Sequence, residues 1–235
     1  MSLTPELKVF RHIWGMELFS TDYKELLPEF RRLGYSGIEA SLNDIKRLSN
    51  NFQDETDFIQ TLADNNLELI GLCRTNWPDF EELTEWQDFS VDQHVKHMKQ
   101  QLDAMMKYKP IHINIHAGQD SWSYAEQEEF FRQTLAIQAQ YPVPSSHETH
   151  RCRSLFHPHL TEHLLAKFPQ LRLTADYAHW VIVCERLLTH PTDWERMKRV
   201  AERVDHVHAR VGHTQHAQVS DPQLKQWERE ASVMQ

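Results

Sequence analysis

Two segments of the sequence place carboxylates and imidazoles side by side at the ends of apolar runs. In SSHETHR, residues 145–151, Glu148 lies between two histidines, and in LTADYAHW, residues 173–180, Asp176 precedes His179 by three positions. Such groups cost desolvation free energy in an apolar environment unless a counter-charge pairs with them, and a bound cation is one such counter-charge. The two segments therefore indicate either a metal site or an internal salt-bridge network.

Two further segments have the composition of β-strands and carry polar side chains at every second position. In HVHAR, His206, His208 and Arg210 point to one side of the predicted strand, because successive side chains of a strand alternate. In IHINIH, the same alternation brings Asn114 and His116 to one side. All these groups can meet if the segments end neighbouring parallel strands, where the functional groups of a barrel lie.

The elements that must position these groups follow from the apolar pattern. Seven short runs with strand composition recur along the chain, around Val9, Ile38, Ile70, Ile113, Val143, Leu173 and Val207. The segments between them have helical periodicity, as in residues 22–35, where Leu26, Leu27 and Phe30 share a face. Strand and helix alternate at a period of roughly thirty residues, which is typical of parallel strands joined by right-handed crossovers. We therefore predict an α/β fold of the (β/α) TIM-barrel type, in a single domain over residues 1–235.

The predicted barrel has seven readable strand-helix units, and the eighth is missing or irregular. After HVHAR the chain offers only a polar helix-like stretch, PQLKQWEREASVMQ. An open barrel leaves a seam between its first and seventh strands, which soluble proteins cover. We expect either a helix of residues 221–235 against that seam or a homodimer that buries it. A doubly wound nucleotide-binding sheet fits less well, because the chain has only 6 glycines and no G-x-G-x-x-G.

Composition limits the classes of partner. The chain has 25 Lys and Arg against 34 Asp and Glu, a formal net charge of −9, which disfavours a nucleic-acid partner. No signal peptide and no apolar run of membrane-spanning length is present in the sequence. The three cysteines are widely spaced and lack a C-x-x-C pair, as is typical of reduced thiols. We predict a cytoplasmic protein with no membrane or nucleic-acid partner.

Five segments in chain order carry a family resemblance: GYSGIEAS, INIHAGQD, HETHR, TADYAHW and HVHAR. Together they resemble the xylose isomerase-like TIM-barrel superfamily of sugar phosphate isomerases and epimerases, in a C-terminally shortened form. The resemblance implies a divalent cation held by Glu148, Asp176 and His208, on the fifth, sixth and seventh strands. His206 faces the same side as His208, but His208 lies nearer the strand end.

The resemblance also implies a fourth ligand and a set of substrate contacts. The family's fourth ligand is a glutamate on strand eight, and it has no match here, because Glu228 and Glu230 fall in the helix-like C-terminal stretch. The family pattern implies that His179 and Arg210 bind substrate. To these we add two further histidines as substrate-binding candidates, His116 and His150.

The reaction that this resemblance implies is isomerisation or epimerisation of a sugar, a sugar phosphate or a keto-sugar. Glu148 would act as ligand and base, removing a proton next to a carbonyl to give a metal-stabilised enediolate. Oxygen-rich ligation with one imidazole favours Mn²⁺ or Mg²⁺, with Zn²⁺ or Co²⁺ as alternatives. The partner is then a small sugar or polyol.

Three other readings remain open at the level of sequence. A metal-dependent lyase or dehydratase acting on a keto-sugar would share the first proton abstraction. An endonuclease acting at abasic sites needs several zinc ions and a surface that attracts phosphates, which the acidic balance disfavours. A non-catalytic shortened barrel would bind metal weakly and turn over nothing.

Overall fold

The structure is a computed structural model that describes residues 7–76, 88–216 and 218–234. Seven strands lie in this part of the chain: β1 (Phe10–His12), β2 (Gly37–Ser41), β3 (Glu68–Arg74), β4 (His112–His116), β5 (Ser145–Glu148), β6 (Leu173–Ala175) and β7 (Val204–Val207). Nine α-helices lie there too: α1 (Tyr23–Arg32), α2 (Leu42–Leu48), α3 (Glu55–Asp64), α4 (Val91–Met105), α5 (Tyr124–Gln138), α6 (Pro158–Lys167), α7 (Tyr177–Cys184), α8 (Pro191–Ala201) and α9 (Glu228–Met234).

The strands follow one another in the sheet in chain order, from β1 to β7. Parallel pairing joins β1 to β2 and β2 to β3, and likewise β5 to β6 and β6 to β7. At least one helix separates each strand from the next along the chain. This sequential parallel arrangement confirms the predicted (β/α) fold class with seven units. Beyond β7, residues 208–216 and 218–234 contribute a short helical turn and α9, with no further strand of the sheet.

The chain divides into two compact units, Met1–Cys73 with Gln100–Ile113, and Arg74–Lys99 with Asn114–Gln235. In the first unit, α1 shows why these elements form where they do. The carboxylate of Asp22 accepts from the backbone N–H of Lys24 at 2.8 Å and so caps the helix start. The apolar positions of α1 that the sequence placed on one face, Leu26, Leu27 and Phe30, are all buried. The assignment of residues 1–235 to a single domain stays a prediction.

The second unit contains β5, β6 and β7 and every residue of the candidate site described below. Strand β5 begins at Ser145, two positions later than the run around Val143 that the sequence indicated. Pro142 and Pro144 explain the difference, because a proline has no N–H to donate to a sheet. Among the described residues, no helix combines the length and the apolar character that crossing a membrane requires.

Candidate metal and substrate site

Strand β5 delivers Glu148 to the site by strict alternation. His147 faces the other side of the strand, where its ring packs against those of Phe130 and Phe131 at centroid distances of 6.1 and 5.0 Å. Glu148 therefore points away from this apolar layer, and it is only 2 % exposed. A carboxylate buried to this degree requires partners that compensate its lost hydration.

The partners of Glu148 come from β4 and from the end of β7. The Asn114 amide donates to Glu148 Oε2 at 2.7 Å, and His116 Nε2 contacts the same oxygen. His208 Nδ1 lies 3.3 Å from it. Burial raises the pKa of Glu148, but the charges of His116 and His208 outweigh that effect, so the pKa lies well below its usual value. The carboxylate is therefore ionised at neutral pH.

Asp176 lies directly after β6, at the position that precedes α7. Aspartate at such a position commonly caps the helix, but the Asp176 carboxylate makes no capping hydrogen bond to α7. It turns to Arg210 instead, whose Nε donates to Asp176 Oδ2 at 2.7 Å. Complete burial raises the pKa of Asp176 to about 6, against the opposing charge of Arg210.

A threonine side chain fixes the ends of β5 and β6 relative to each other. Thr149 Oγ1 donates to the backbone carbonyl of Asp176 at 3.0 Å and accepts from the backbone N–H of Asp176 at 2.8 Å. The backbone N–H of Thr149 also donates to the carbonyl of Thr174 at 3.0 Å. The two strand ends that carry Glu148 and Asp176 are thus held by side-chain as well as backbone hydrogen bonds.

The end of β7 brings His208 to both carboxylates. Its backbone N–H donates to the carbonyl of Ala175 at 2.9 Å, which extends the pairing of β6 and β7 by one residue. His208 Nδ1 then lies 3.3 Å from Glu148 Oε2 and 3.8 Å from Asp176 Oδ2. The structure therefore brings together the three side chains that the sequence assigned to a cation.

The histidines assigned to substrate binding lie against one another beside these carboxylates. The ring of His150 is 4.8 Å from that of His116 and 3.8 Å from that of His179, centroid to centroid. His150 Nδ1 donates to the carbonyl of Arg151 at 2.6 Å, which leaves its Nε2 as the acceptor nitrogen. Burial lowers the pKa of all three imidazoles, and that of His150 falls to about 3. The rings of His150 and His179 are therefore neutral at physiological pH.

The donor set fits a divalent cation. Two groups of three side chains that lie wholly within the second unit have ligand atoms within 4.8 Å of one another, namely His116 with Glu148 and His150, and Glu148 with Asp176 and His179. Asp176 is fully buried, and its Oδ1 has no hydrogen-bond partner in the described part of the chain. A buried carboxylate oxygen without a hydrogen-bond donor is available as a ligand for a cation.

Two residues of this site were not among those that the sequence assigned. Asn114 was recognised only as one of the alternating polar positions of β4, and that alternation was the signal that it faces the site. Thr149 lies between Glu148 and His150 in the sequence and carries no signal of its own, because its role depends on a contact with residue 176. Glu228 begins α9 and Glu230 lies within it, and neither is assigned as a ligand.

Comparison with known proteins identifies the fold. No protein-family model matches the chain, and no curated protein does. Among solved structures, the probable 3-DHS dehydratase AsbF of Bacillus anthracis is 18 % identical with a TM-score of 0.66, over 92 % of this chain and 78 % of that one. The 3-keto-D-glucoside 4-epimerase YcjR of E. coli is 14 % identical with a TM-score of 0.58, over 86 % and 78 %.

A sugar phosphate isomerase/epimerase of Parabacteroides distasonis is 12 % identical with a TM-score of 0.58, over 100 % of this chain and 85 % of that one. The identities are low, so these likenesses concern the course of the chain and its strand order. They agree with the resemblance that the five sequence segments indicated. The chain therefore has the fold of the xylose isomerase-like, sugar phosphate isomerase/epimerase TIM-barrel proteins.

Proposed function

We propose that this protein is a divalent-metal-dependent isomerase or epimerase that moves a proton on the carbon next to the carbonyl of a sugar or keto-sugar. The observation that carries the proposal is the convergence of two buried carboxylates, Glu148 and Asp176, on His208, with Asp176 Oδ1 left over as a ligand oxygen. Solved structures of this fold include a 3-keto-D-glucoside 4-epimerase and an L-ribulose 3-epimerase, which supports a sugar as the substrate class.

The proposed cation site consists of Glu148, Asp176 and His208. Two carboxylates and one imidazole favour Mn²⁺ or Mg²⁺, with Zn²⁺ and Co²⁺ as alternatives. When bound, the cation would supply Lewis acidity, neutralising the negative charge that develops on the substrate oxygen. The remaining chemistry belongs to the side chains of this chain.

Glu148 is the proposed base. Its carboxylate is ionised at neutral pH, and its Oε2 is held in place by Asn114 and His116. Removal of a proton next to a carbonyl needs such a fixed, unprotonated acceptor within hydrogen-bond reach of the carbon. Return of the proton by Glu148 to the neighbouring carbon gives an isomer. A proton delivered to the original carbon from the opposite face, by a donor other than Glu148, gives an epimer.

The buried histidines are the proposed substrate contacts. His150 is neutral and largely shielded from water, so it binds hydroxyl groups without adding charge to the site, and the ring of His116 lies 4.8 Å from it between centroids. His179 is 2 % exposed, and its Nδ1 has no hydrogen-bond partner among the residues that the structure describes. A buried polar atom of this kind matches a substrate oxygen.

A dehydratase or lyase acting on a keto-sugar is the second candidate. Its first step is the same proton abstraction, and the bond that breaks next expels a leaving group from the adjacent carbon. The TM-score of 0.66 to a probable 3-DHS dehydratase supports keeping this candidate.

We also propose a cytoplasmic location, because all three cysteines are free thiols.

Deuterium exchange tests the proposal. Purified protein is stripped of metal, loaded with Mn²⁺ and incubated in D₂O with a panel of keto-sugars, aldoses and their phosphates, and the products are followed by NMR. We expect one bound Mn²⁺ per chain and Mn²⁺-dependent deuterium at one carbon of the true substrate. Loss of water with formation of an unsaturated ketone would identify the dehydratase instead. No stoichiometric Mn²⁺ together with no exchange across the panel would contradict both candidates and favour a non-catalytic barrel.

A further inference from the structure

The guanidinium of Arg210 contacts three side chains of the protein, namely Asp176, His179 and Gln218. Its Nε donates to Asp176 Oδ2 at 2.7 Å, and its Nη2 contacts the same oxygen. Nη2 also contacts His179 Nε2, and Nη1 donates to Gln218 Oε1 at 3.4 Å. Four of the five N–H groups of this guanidinium are thus directed at acceptors of the protein, which leaves one N–H on Nη1.

This arrangement distinguishes the two oxygens of Asp176. Both Arg210 contacts go to Oδ2, and His208 Nδ1 lies 3.8 Å from that same oxygen. Oδ1 is buried and has no hydrogen-bond partner among the described residues. Two N–H groups of one guanidinium on a single carboxylate oxygen form charge-assisted contacts that hold that oxygen in place. Arg210 therefore determines which Asp176 oxygen remains available to a ligand.

The same contact sets the tautomer of His179. Arginine has five N–H donors and no acceptor, so a ring nitrogen that meets its Nη2 must be the unprotonated one. His179 Nε2 is that nitrogen, and the single ring proton consequently lies on Nδ1. Nδ1 is buried and has no partner in the described residues. Asp176 and His179 thus offer a ligand one carboxylate oxygen, Oδ1, and one N–H donor, Nδ1, neither of which has a hydrogen-bond partner among the described residues.

We propose that Arg210 is a positioning residue and not a substrate contact. It holds Asp176 so that Oδ1 is the ligand oxygen, and it keeps the proton of His179 on Nδ1, from which the imidazole donates to a substrate oxygen. The identity of the cation and the substrate class rest on the proposed function. The tautomer of His179 does not, since it follows from side-chain contacts of the metal-free protein.

The tautomer is tested by long-range proton–nitrogen NMR on the metal-free protein at neutral pH, with ¹⁵N-labelled histidine. The His179→Gln variant assigns the His179 resonances by their disappearance. We expect the unprotonated nitrogen of His179 to be Nε2 in the wild type. In Arg210→Met, we expect this fixed pattern to give way to a mixture of both tautomers.

The effect on Asp176 is tested by titration calorimetry with Mn²⁺ alone. Loss of a group that orients a metal ligand weakens binding by about 10- to 100-fold, and we expect this for Arg210→Met, with partial rescue in Arg210→Lys. Arg172→Lys is the matched control, because Arg172 Nε contacts both oxygens of Asp205, at 3.0 and 2.9 Å, in a surface pair away from this site. We expect no change in Mn²⁺ affinity for that control.

The outcomes separate this proposal from the proposed function. An unprotonated Nδ1 in wild-type His179, or an Arg210→Met variant with unchanged tautomer and Mn²⁺ affinity, overturns the positioning role. If Arg210→Met does not fold, the His179 tautomer of the wild type and the Mn²⁺ affinity of Arg210→Lys still test the positioning role of Arg210. If the wild type binds no Mn²⁺, the metal part of the proposed function fails, while the His179 measurement still confirms or overturns the role of Arg210.

Discussion

Three side chains converge on the carboxylate of Glu148. Its Oε2 meets an amide from Asn114 and imidazole nitrogens from His116 and His208. Two of these partners lie in β4 and the third follows β7, so the carboxylate is held by residues that are 32 to 60 positions away in the sequence. Sequence pattern identified Glu148 because it lies at a strand end between histidines, but it could not show this convergence.

Replacement of Glu148 by glutamine tests its role at the scale of one residue. The amide keeps the shape of the side chain and removes its charge, so we expect the fold to persist and Mn²⁺ binding to weaken. Turnover should fall by about 10²-fold or more, because general base catalysis typically contributes that much. Circular dichroism, calorimetry with Mn²⁺ and the deuterium-exchange assay measure the three effects.

Glu128→Gln is the matched control for that substitution. Glu128 is a carboxylate that pairs with His163 at 2.8 Å and with Lys167 on the surface of the same unit. We expect its replacement to leave Mn²⁺ affinity and exchange unchanged. A Glu148→Gln variant that keeps near-normal exchange would show that another group is the base.

At the scale of elements, the sequence predicts the strands well because each strand is a short, local apolar run. All seven predicted strands are found, and only the start of β5 moves, where two prolines delay pairing until Ser145. The alternation rule then places Glu148 and His116 on the site side. A local sequence pattern cannot predict the hydrogen bonds that join two strand ends. Thr149 is the example, because its hydrogen-bond partner, the backbone of Asp176, is 27 residues away.

Thr149→Val tests that coupling between β5 and β6. Valine keeps the shape of the side chain and removes both hydrogen bonds to the Asp176 backbone, leaving buried polar groups without that partner. We expect a loss of about 1–3 kcal/mol in the free energy of unfolding and weaker Mn²⁺ binding, because Glu148 and Asp176 lose their fixed separation. Urea unfolding and calorimetry measure these changes.

Thr161→Val gives the comparison for a buried threonine without this bridging role. Thr161 Oγ1 donates only to the carbonyl of His157, at 3.1 Å, within its own helical segment. We expect its replacement to cost less stability and to leave Mn²⁺ affinity unchanged. Equal effects of the two substitutions on Mn²⁺ affinity would contradict a specific role for the link between the strand ends.

At the scale of the whole molecule, the sequence gives two expectations for the seam of a seven-unit barrel, a helix of residues 221–235 or a homodimer, and both are still predictions. Large apolar side chains support association: in the stretch after β1, Leu18 is 88 % exposed and Phe19 is 78 % exposed. We expect light scattering to give the mass of a homodimer and the double variant Leu18→Ser/Phe19→Ser to be largely monomeric. Leu33→Ser, at another exposed apolar position, should remain dimeric. A monomeric wild type would show the dimer prediction to be wrong.

The stability of the molecule should depend on pH through its buried neutral histidines. His94 is fully buried, with Nδ1 2.6 Å from Thr75 Oγ1 and Nε2 3.3 Å from Gln119 Oε1. Burial, together with the charge of Arg153, lowers the pKa of His94 from 6.5 to about 4. His97 is the other titratable neighbour, and burial lowers its pKa as well. His94 therefore binds a proton at a lower pH in the folded state than in the unfolded chain.

The sign of the effect follows from proton uptake. Above pH 6.5 His94 is neutral in both states and contributes no pH dependence. Between pH 6.5 and about 4 the unfolded state binds more protons, so the free energy of unfolding falls as the pH falls, by about 1.4 kcal/mol for each unit of pKa difference. Other buried histidines, such as His147 with a pKa of about 3, add to the same trend.

Urea unfolding at pH 7.5, 6.5, 5.5 and 4.5 measures this dependence. We expect the wild type to lose stability steadily below pH 6.5, and His94→Gln to show a shallower slope, because glutamine keeps hydrogen-bonding capacity toward Thr75 and Gln119 without a titrating group. Thr161→Val, which removes no titrating group, should keep the wild-type slope. If the His94→Gln slope equals that of the wild type, His94 takes up its proton in the folded state as easily as in the unfolded chain, and burial does not govern its titration.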